Sequence, residues 1–321
     1  MKLSWQTLAV LSVLGAAPVA NAQNYPAKSV RVIVPYAPGG GSDVISRILA
    51  QRLSQSLGRQ FVIDNRAGAN GIIGTELAVQ APADGYTLLY VSSPHAVNPS
   101  MYRKLPFDTL KDLAPISEVA VSPSILVVHS SLPTRTVGEL VALAKARPGQ
   151  IDYASGGSGG SPHLATELFK KMAGINLTHV PYRGAGPALA DVLAGQVPVM
   201  FANSAPALPH IRSGRLRALG VSSTKRSAVA PEIPTIAESG VRGYEAVTLF
   251  GLLAPANTPR NIIDLLNAEV HKAMRNPEVG ESMKALGADV VLTTPEGFGS
   301  VLEAEVKRWG ELVRALNLQV E

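Results

Sequence analysis

Two segments, "VIVPYAPGGGSDVISRILAQRL" (residues 32–53) and "IDYASGGSGGSPHLATELFKKM" (residues 151–172), share one plan. Each begins with a short apolar run typical of a buried strand, continues through a loop of glycines and serines, and ends with apolar residues at helical spacing. The copies lie about 120 residues apart, which is roughly the length of one lobe of a globular protein. The repetition predicts two strand–loop–helix units, one in each of two lobes, that close a cleft from both sides.

The rest of the chain continues this alternation of short, β-branched apolar runs with segments of helical period. Such alternation is typical of α/β folds, in which mostly parallel sheets are flanked by helices. We therefore expect an α/β protein. The main predicted strands are 30–36, 60–65, 86–93, 124–131, 151–155 and 248–255, and the main predicted helices lie near 136–146, 186–194, 261–275 and 296–316.

The glycine-serine loops suit an anion. A helix N-terminus presents unpaired N–H groups and a partial positive charge, and glycines before it let a ligand approach the backbone. Neither loop matches a nucleotide-phosphate pattern, so a smaller anion such as a carboxylate fits better. Plain chain reversal is the alternative for either loop alone, and the repetition argues against it. We expect Asp43 to cap the first helix, and Ser161 to cap the second with Pro162 at its first position.

A catalytic alternative comes from residues 156–160, which match G-x-S-x-G, the nucleophile elbow of α/β-hydrolases. Ser158 would be the nucleophile, with Asp191 or Asp264 as the acid and His271 as the base. Against this, a stretch so rich in glycine matches the pattern by composition, and the helix is predicted to begin three residues after Ser158. Carboxylate binding, serine hydrolysis and a purely structural or adhesive role remain three separate hypotheses.

Other polar residues are weaker candidates for the cleft. His163 is placed to orient the second loop or to face the cleft, Tyr182 ends a strand beside glycines, and Arg183 is able to pair with a carboxylate. The six histidines show no H-x-x-x-H or H-E-x-x-H spacing, and the chain has no cysteine. The sequence therefore predicts no metal site and no cofactor.

Residues 1–22 have the pattern of a signal peptide. Lys2 precedes an apolar run, and Ala20, Asn21 and Ala22 form an A-x-A site that predicts cleavage after Ala22. Export without cysteine suits a bacterial periplasm, and no later window is apolar for the roughly 18 residues that a membrane span needs. The net charge of +5 is scattered along the chain. This charge suits an anionic small molecule rather than nucleic acid, and we expect a monomer.

Five segments of the chain, taken in order, carry a family resemblance: "YPAKSVRVIVPYAPGGGSD", "VIDNRAGANGIIGTELAVQAPADGYTLL", "YASGGSGGSPHLATELF", "VPYRGAGPALADVLAGQV" and "LLAPANTP". They resemble the periplasmic solute-binding proteins of tripartite tricarboxylate transporters, also called the Bug family. The resemblance implies a two-lobed periplasmic-binding-protein fold of the Venus-flytrap, type II-like kind, with two crossovers between the lobes. It places residues 24–123 and 248–321 in one lobe and residues 124–247 in the other.

The resemblance also implies how a ligand is held. A carboxylate would lie between the two glycine-serine loops, bound by backbone amides, hydroxyls and ordered water. The ligand would be a di- or tricarboxylate, an acidic amino acid or an aromatic acid, captured for a membrane permease or a sensor kinase. Together, the residues and the resemblance predict a ligand-binding set of Pro38, Gly39, Gly40, Gly41, Ser42, Asp43, Ser155, Gly156, Gly159, Gly160, Ser161, His163, Tyr182 and Phe250.

Two departures from the family pattern bear on the ligand. Leu249 stands before Phe250 and Gly251 where many members place a tryptophan, and Pro198 and Ala202 stand where members often have acids. We expect Leu249 to make the far wall of the pocket smaller and more aliphatic.

Overall fold

The structure is a computed structural model that describes residues 25–182, 184–228 and 230–318. The predicted signal peptide, residues 1–22, and the candidate Arg183 lie outside the described residues. No helix in the described part of the chain is long and apolar enough to cross a membrane.

The first lobe is built from the N-terminal elements together with elements near the C-terminus. Its first strand leads directly into the first glycine-serine loop and helix α1, as the sequence pattern predicts. Its elements are β1 (Val30–Val34), α1 (Gly41–Leu57), β2 (Phe61–Asn65), a 3₁₀ turn (Ala69–Gly71), α2 (Ile72–Val79), β3 (Thr87–Ser92) and α3 (Pro94–Met101).

A 17-residue strand, β4 (Leu113–His129), then carries the chain into the second lobe. The second lobe repeats the strand–loop–helix plan at β5 and α5. Its elements are α4 (Val137–Ala146), β5 (Asp152–Ser155), α5 (Ser161–Ala173), β6 (Thr178–Pro181), α6 (Ala185–Leu193), β7 (Val199–Asn203), α7 (Ser204–Arg212) and β8 (Leu216–Val221).

The chain returns to the first lobe through β9 (Val247–Pro255). The remaining elements are α8 (Arg260–Met274), α9 (Pro277–Ala285), β10 (Asp289–Val290) and α10 (Pro295–Ala315). Helix α10 contributes to both lobes: Phe298 and Leu302 lie in the core beside β3 and β9, whereas Trp309 and Val313 pack with the second lobe.

Each lobe contains a set of parallel strands, and the remaining strands form antiparallel pairs with these strands or with each other. Strands β2, β1 and β3 pair in parallel, as do β6, β5 and β7. β4 pairs antiparallel with β9 as far as Pro123 and with β7 from Ser124 onward, so one strand passes through both sheets. The predicted α/β, two-lobed fold with two crossovers is confirmed. The residue boundaries of the lobes stay a prediction.

Several elements differ from the sequence prediction. The strand expected at residues 124–131 is the second half of β4, whose first half contains Pro115 and Pro123 and lacks a continuous apolar run. Helices α3, α7 and α9 were not predicted. α3 and α7 contain the internal prolines Pro99 and Pro209, which disfavour helix in a sequence pattern.

Candidate functional site

The N-termini of α1 and α5 open into one cavity of about 570 Å³ between the lobes. Residues from β3, β4, β7 and β9 complete its wall, so both lobes and both crossover strands contribute. We call this cavity the cleft. Its described lining is Gly39, Gly41, Ser42, Val44, Ile45, Ser92, Ser122, Gly156, Gly157, Gly160, Ser161, Pro162, Ala185, Asn203, Ala205, Pro206, Thr248, Phe250 and Leu286.

In the first loop the helix begins without a side-chain cap. Gly39 has a φ of +84°, a conformation that glycine adopts without strain, and it turns the chain toward the helix. Gly40 is the N-cap in an extended conformation, and Gly41 is the first helical residue. The sequence predicted Asp43 as the N-cap, and this prediction is wrong because Gly40 takes that position. Asp43 is the third helical residue, and its Oδ2 accepts a hydrogen bond from the N–H of Gly39 at 2.9 Å.

The second loop repeats this geometry residue for residue. Gly159 has a φ of +76°, and Gly160 is the extended N-cap. The N-cap predicted at Ser161 is wrong by one position, and Pro162 is the second helical residue rather than the first. His163 is the third, and its Nδ1 accepts a hydrogen bond from the N–H of Gly159 at 3.0 Å.

A glycine cap leaves the first N–H groups of each helix without a partner among the described residues. Ser, Thr, Asp and Asn at the N-cap normally bond one of these groups, and neither Gly40 nor Gly160 has a side chain to do so. The helix that follows each loop therefore presents free donors and the positive end of its dipole to the cleft. The arrangement is suited to bind a negatively charged group.

The carboxylate of Asp43 is neutralised below the surface of the cleft. It is 3% exposed and forms an ion pair with Arg47, with Nη2 3.0 Å from Oδ1, and Asn65 donates to the same oxygen at 2.9 Å. Burial alone would raise the pKa of Asp43, but the hydrogen bonds from Arg47, Gly39 and Asn65 outweigh it and hold the pKa below its usual value. The ionised carboxylate is compensated, so it does not cancel the helix dipole.

His163 occupies the matching position in α5 as a neutral ring. Because its Nδ1 accepts a hydrogen bond, the proton lies on Nε2. Burial, with a smaller effect from the neighbouring His179, lowers the pKa of His163 to about 4. The two imidazoles stack with their centroids 4.1 Å apart. The second helix terminus therefore carries no compensating charge.

Ser155 fixes the start of the second loop from beneath. Its Oγ lies 2.7 Å from Nε2 of His179 and donates to the carbonyl of Gly157 at 3.1 Å. Gly156 allows the loop to pack against the next turn, since a Cβ there would lie 2.8 Å from the backbone nitrogen of Ala185. Ser155 and Gly156 thus position the loop against α6.

The predicted ligand-binding residues fall into three groups. Seven line the cleft: Gly39, Gly41, Ser42, Gly156, Gly160, Ser161 and Phe250. Four lie behind its surface, where they support the loops: Asp43, Ser155, Gly159 and His163. Three are not among the lining residues: Pro38, Gly40 and Tyr182, whose hydroxyl donates to Asp191 at 2.7 Å.

The wall opposite the loops was missed by sequence reasoning. It includes the hydroxyls of Ser92, Ser122 and Thr248 and the amide of Asn203, and none of the described lining residues carries a charge. Ser92 and Asn203 end the strands β3 and β7. Polar residues at strand ends that face a crevice are the signal that could have identified them.

The expectation that Leu249 makes the far wall of the cleft smaller and more aliphatic is wrong. Side chains alternate across a strand, so Thr248 and Phe250 face the cleft and Leu249 faces away from it. Ala202 is buried inside β7, and neither it nor Pro198 lines the cleft. Pro198, Ala202 and Leu249, the three residues that depart from the family pattern, therefore do not line the cleft.

The structure does not assemble the hydrolase alternative. Ser158 is exposed on its loop, and no hydrogen bond among the described residues joins it to a histidine. His271 lies on α8, where its Nε2 is 2.9 Å from the carbonyl of Thr293. Each candidate acid is engaged elsewhere: Asp191 accepts from Tyr182 and Asp264 from Arg260.

A two-lobed α/β fold with a cleft between helix N-termini defines the class of periplasmic solute-binding proteins, and solved structures of this class match the chain. The Rhodopseudomonas palustris protein Rpa4515, solved with adipate, is 36% identical with a TM-score of 0.79, over 90% of this chain and 97% of that one. MatC from the same species, with bound malate, is 28% identical with a TM-score of 0.75, over 90% and 100%.

The sequence comparisons narrow the class to a family. The model of the tripartite tricarboxylate transporter family receptors matches residues 45–318. Protein BugT of Bordetella pertussis is 42% identical over 301 residues, which cover 93% of this chain and 92% of BugT. The chain therefore belongs to the tripartite tricarboxylate transporter receptors, the Bug family of solute-binding proteins, and the resemblance expected from the five segments is confirmed.

Proposed function

We propose that the cleft binds a small organic acid, with one carboxylate held between the N-termini of α1 and α5. The observation that carries the proposal is the repeated glycine cap, which leaves the first-turn N–H groups of both helices unbonded by any described residue at one shared cavity. The hydroxyls of Ser42 and Ser161 lie beside these groups as further donors. Main chain and hydroxyls, rather than a cationic clamp among the described residues, would neutralise the carboxylate.

The N–H groups at the starts of α1 and α5 are numerous enough to give about micromolar affinity for a carboxylate. α1 offers the N–H groups of its first three residues, and α5 offers two because Pro162 has none. Hydrogen bonds to a charged group contribute about 1.5–3 kcal/mol each, and association costs at least about 4 kcal/mol. A net free energy near −8 kcal/mol, equivalent to about micromolar affinity, is the expected result.

The far wall favours an acid with a second polar end. Ser92, Ser122, Asn203 and Thr248 can donate hydrogen bonds to a second carboxylate, while Phe250 and Leu286 contact a hydrocarbon chain. Similar proteins hold adipate and malate, which are both dicarboxylates, and this supports the same ligand class here. We infer that dicarboxylates bind more tightly than monocarboxylates of equal length.

The proposed biological role is to capture an organic acid and deliver it to a membrane protein. The chain would be exported, cleaved after Ala22, and act in the periplasm as a monomer. There it would deliver its acid to the membrane permease of a tripartite tricarboxylate transporter, or present it to a sensor kinase. The two antiparallel strands β4 and β9 are the connections about which the lobes would close over the ligand.

A thermal-shift screen with calorimetric follow-up tests the proposal. Adipate, malate, citrate and benzoate are compared with 1,6-hexanediol, which matches adipate in length but carries no charge. We expect at least one acid to raise the melting temperature with increasing concentration, and the diol to have no effect. The proposal is wrong if no acid binds, or if the diol binds as tightly as adipate.

Ser158→Ala separates binding from hydrolysis. Because Ser158 does not line the cleft, the variant is expected to bind the acids with unchanged affinity and to leave any background hydrolysis of p-nitrophenyl acetate unchanged. Turnover in the wild type that disappears in Ser158→Ala would instead support the hydrolase.

A further inference from the structure

A second cavity, of about 620 Å³, lies behind the cleft on the opposite face of the same two strands. On β9, Thr248 and Phe250 face the cleft, whereas Leu249 faces the second cavity. On β4, Ser122 faces the cleft and Val121 faces the second cavity. We call it the rear cavity. The two cavities are back to back across the strands that join the lobes.

Both lobes form the walls of the rear cavity. The first lobe contributes β10 and α10, and the second contributes residues 223–226 and 228, which follow β8. Leu249, Val291 and Val301 make part of the lining apolar, and acidic side chains make another part charged. A wall of this kind suits an amphipathic small molecule with a charged end.

Glu118 on β4 is a buried acid whose carboxylate has no partner in the part of the chain that the structure describes. It lines the rear cavity and is only 5% exposed. Its backbone is satisfied, since the N–H donates to Thr293 Oγ1 at 3.0 Å and the carbonyl accepts from Ser117 Oγ at 2.6 Å. Its carboxylate makes no hydrogen bond or ion pair with any described residue. An isolated buried carboxylate is costly unless it is protonated or meets a cation.

The surrounding charges are predominantly negative at this point. Glu305 accepts from Trp309 Nε1 and pairs with Arg308 at 2.6 Å, and Glu245 lies 3.9 Å from the same guanidinium. Glu305 and Glu245 therefore share one arginine, and no ion pair joins Glu118 to a cation among the described residues. Burial, together with the charges of Glu305 and Glu245, raises the pKa of Glu118 to about 7.

The other ionisable residues of the lining do not compensate Glu118. Arg226 pairs with Glu238, which is not a lining residue, and Lys225 is exposed. Asp289 adds a fourth acid, whose pKa is raised by burial. The rear cavity thus has an excess of acids, unlike the uncharged cleft.

We propose that the rear cavity is a second binding site, for a small organic cation whose ammonium group lies against Glu118 and whose hydrocarbon part lies against Leu249 and Val301. An organic cation fits better than a metal ion for two reasons. In the described ranges no three His, Asp or Glu side chains converge closely enough to hold a metal. The apolar part of the lining would also give a hydrated ion no ligands.

Cyclohexylammonium chloride is the probe, and cyclohexanol is its uncharged counterpart of the same shape. Titration calorimetry at pH 8 is performed with adipate present, so that the cleft is occupied if adipate binds there. We expect one saturable site for the amine and none for the alcohol. Between pH 8 and pH 6 the affinity should fall about tenfold, as a carboxyl with a pKa of about 7 becomes protonated.

Variants locate the site. Glu118→Gln keeps the shape of the side chain and removes its charge, so we expect at least tenfold weaker amine binding with no remaining pH dependence. Val301→Trp on the half-buried face of α10 fills the cavity and should abolish binding. Glu303→Gln, an exposed acid on the same helix, is the matched control and should change nothing. Circular dichroism checks that each variant is folded.

Three results would overturn the proposal: no saturable binding of the amine, equal binding of cyclohexanol, or wild-type affinity in folded Glu118→Gln. Amine binding that persists in Val301→Trp would also reject this location. Because none of these variants lines the cleft, acid binding is measured in parallel as an independent readout.

Discussion

The two glycine loops have the same backbone and different chemistry. In both, a glycine with positive φ donates to the third helical residue and an extended glycine caps the helix. The third residue is the ionised Asp43 in α1 and the neutral His163 in α5, and the second is Ser42 in α1 and Pro162 in α5. The shared backbone forms the proposed anion site, whereas we expect the residues at the second and third positions to set the number of donors and the pH sensitivity.

The largest effect is expected from adding a side chain at the helix starts. Gly41→Val and Gly160→Val place a valine on the cleft without a fold clash: a Cβ at Gly41 has nothing within 4 Å, and one at Gly160 meets only Gly157 O at 3.5 Å. Each variant should cover the N–H groups and weaken the best acid of the screen at least a thousandfold, or about 4 kcal/mol by calorimetry.

Gly280→Val on α9 is the matched control for these variants, because a Cβ there also meets nothing within 4 Å and Gly280 does not line the cleft. It should bind the acid normally. Normal binding by either cleft variant would show that its loop is not part of the anion site, so that the two loops would not share one function.

The second effect is a dependence of folding stability on pH. Of the two loops, the α5 loop contributes to it above pH 4 and the α1 loop does not. The pKa of His163 is about 4 in the fold and about 6.5 in the unfolded chain, so between these values the unfolded state binds more protons. Stability from His163 is present above pH 6.5 and is lost as pH falls toward 4, by up to about 3 kcal/mol. The lowered pKa of Asp43 acts only below about 4.

Urea unfolding at pH 7, 5.5 and 4.5 measures this dependence. His163→Gln should lose less stability than the wild type between pH 7 and pH 4.5, while Asp43→Asn should follow the wild-type slope. His95 and His179 also have lowered pKa values, mainly because they are buried, but they are present in all three proteins. Parallel slopes for the wild type and His163→Gln would contradict the neutral buried assignment.

The third effect is the stability provided by the Asp43–Arg47 pair. Asp43→Asn keeps an oxygen acceptor for Gly39 but removes the charge that faces Arg47, so we expect a loss of about 1–2 kcal/mol at pH 7. The expected loss is modest because Arg47 is half-exposed and its charge is screened by water. Affinity for the acid should not fall, since the lost charge is negative.

Asp64→Asn is the control for this variant. Asp64 also pairs with arginines, Arg31 and Arg66, but it lies away from the cleft and more exposed, so it should cost less than 1 kcal/mol, roughly the ceiling for surface pairs. An equal loss in the two variants would mean that the position of Asp43 beneath the helix adds nothing.

The smallest effect is expected from exchanging the second helical residues. Pro162→Ala adds an N–H donor to α5 and should tighten acid binding by up to about tenfold, whereas Ser42→Pro removes one from α1 and should weaken it by a similar factor. Ser42→Ala separates loss of the hydroxyl from loss of the N–H. Unchanged affinities on calorimetry would place this N–H beyond reach of the ligand in both loops.

The fold was predictable because its signals are local. Alternating apolar runs and helical stripes identified the strands β1, β2, β3 and β9, and the repeated loop identified both sides of the cleft. The helix caps were predicted one or more residues away from their positions, because Asp43 and Ser161 belong to residue types that usually cap. Only the backbone geometry shows that glycine takes that position in both loops.

The far wall and the rear cavity were not predictable. Ser92, Ser122 and Thr248 come from three separate strands, and nothing in the sequence says which face of β4 or β9 a residue occupies in a long antiparallel crossover with register shifts. The prediction that Leu249 lines the cleft was wrong for this reason: the sequence did not show which face of β9 Leu249 occupies. A shift of one position moves a side chain from the cleft to the opposite face.

The sequence by itself determined the alternation of elements, the duplicated helix starts and the family, because each depends on residues close together in the chain. The tertiary structure alone decided that Asp43 and His163 lie beneath the cleft as charged and neutral counterparts, and that the buried carboxylate of Glu118 has no partner among the described residues. Burial and the pairing of charges depend on residues brought together from distant parts of the chain, and for that reason local patterns do not specify them.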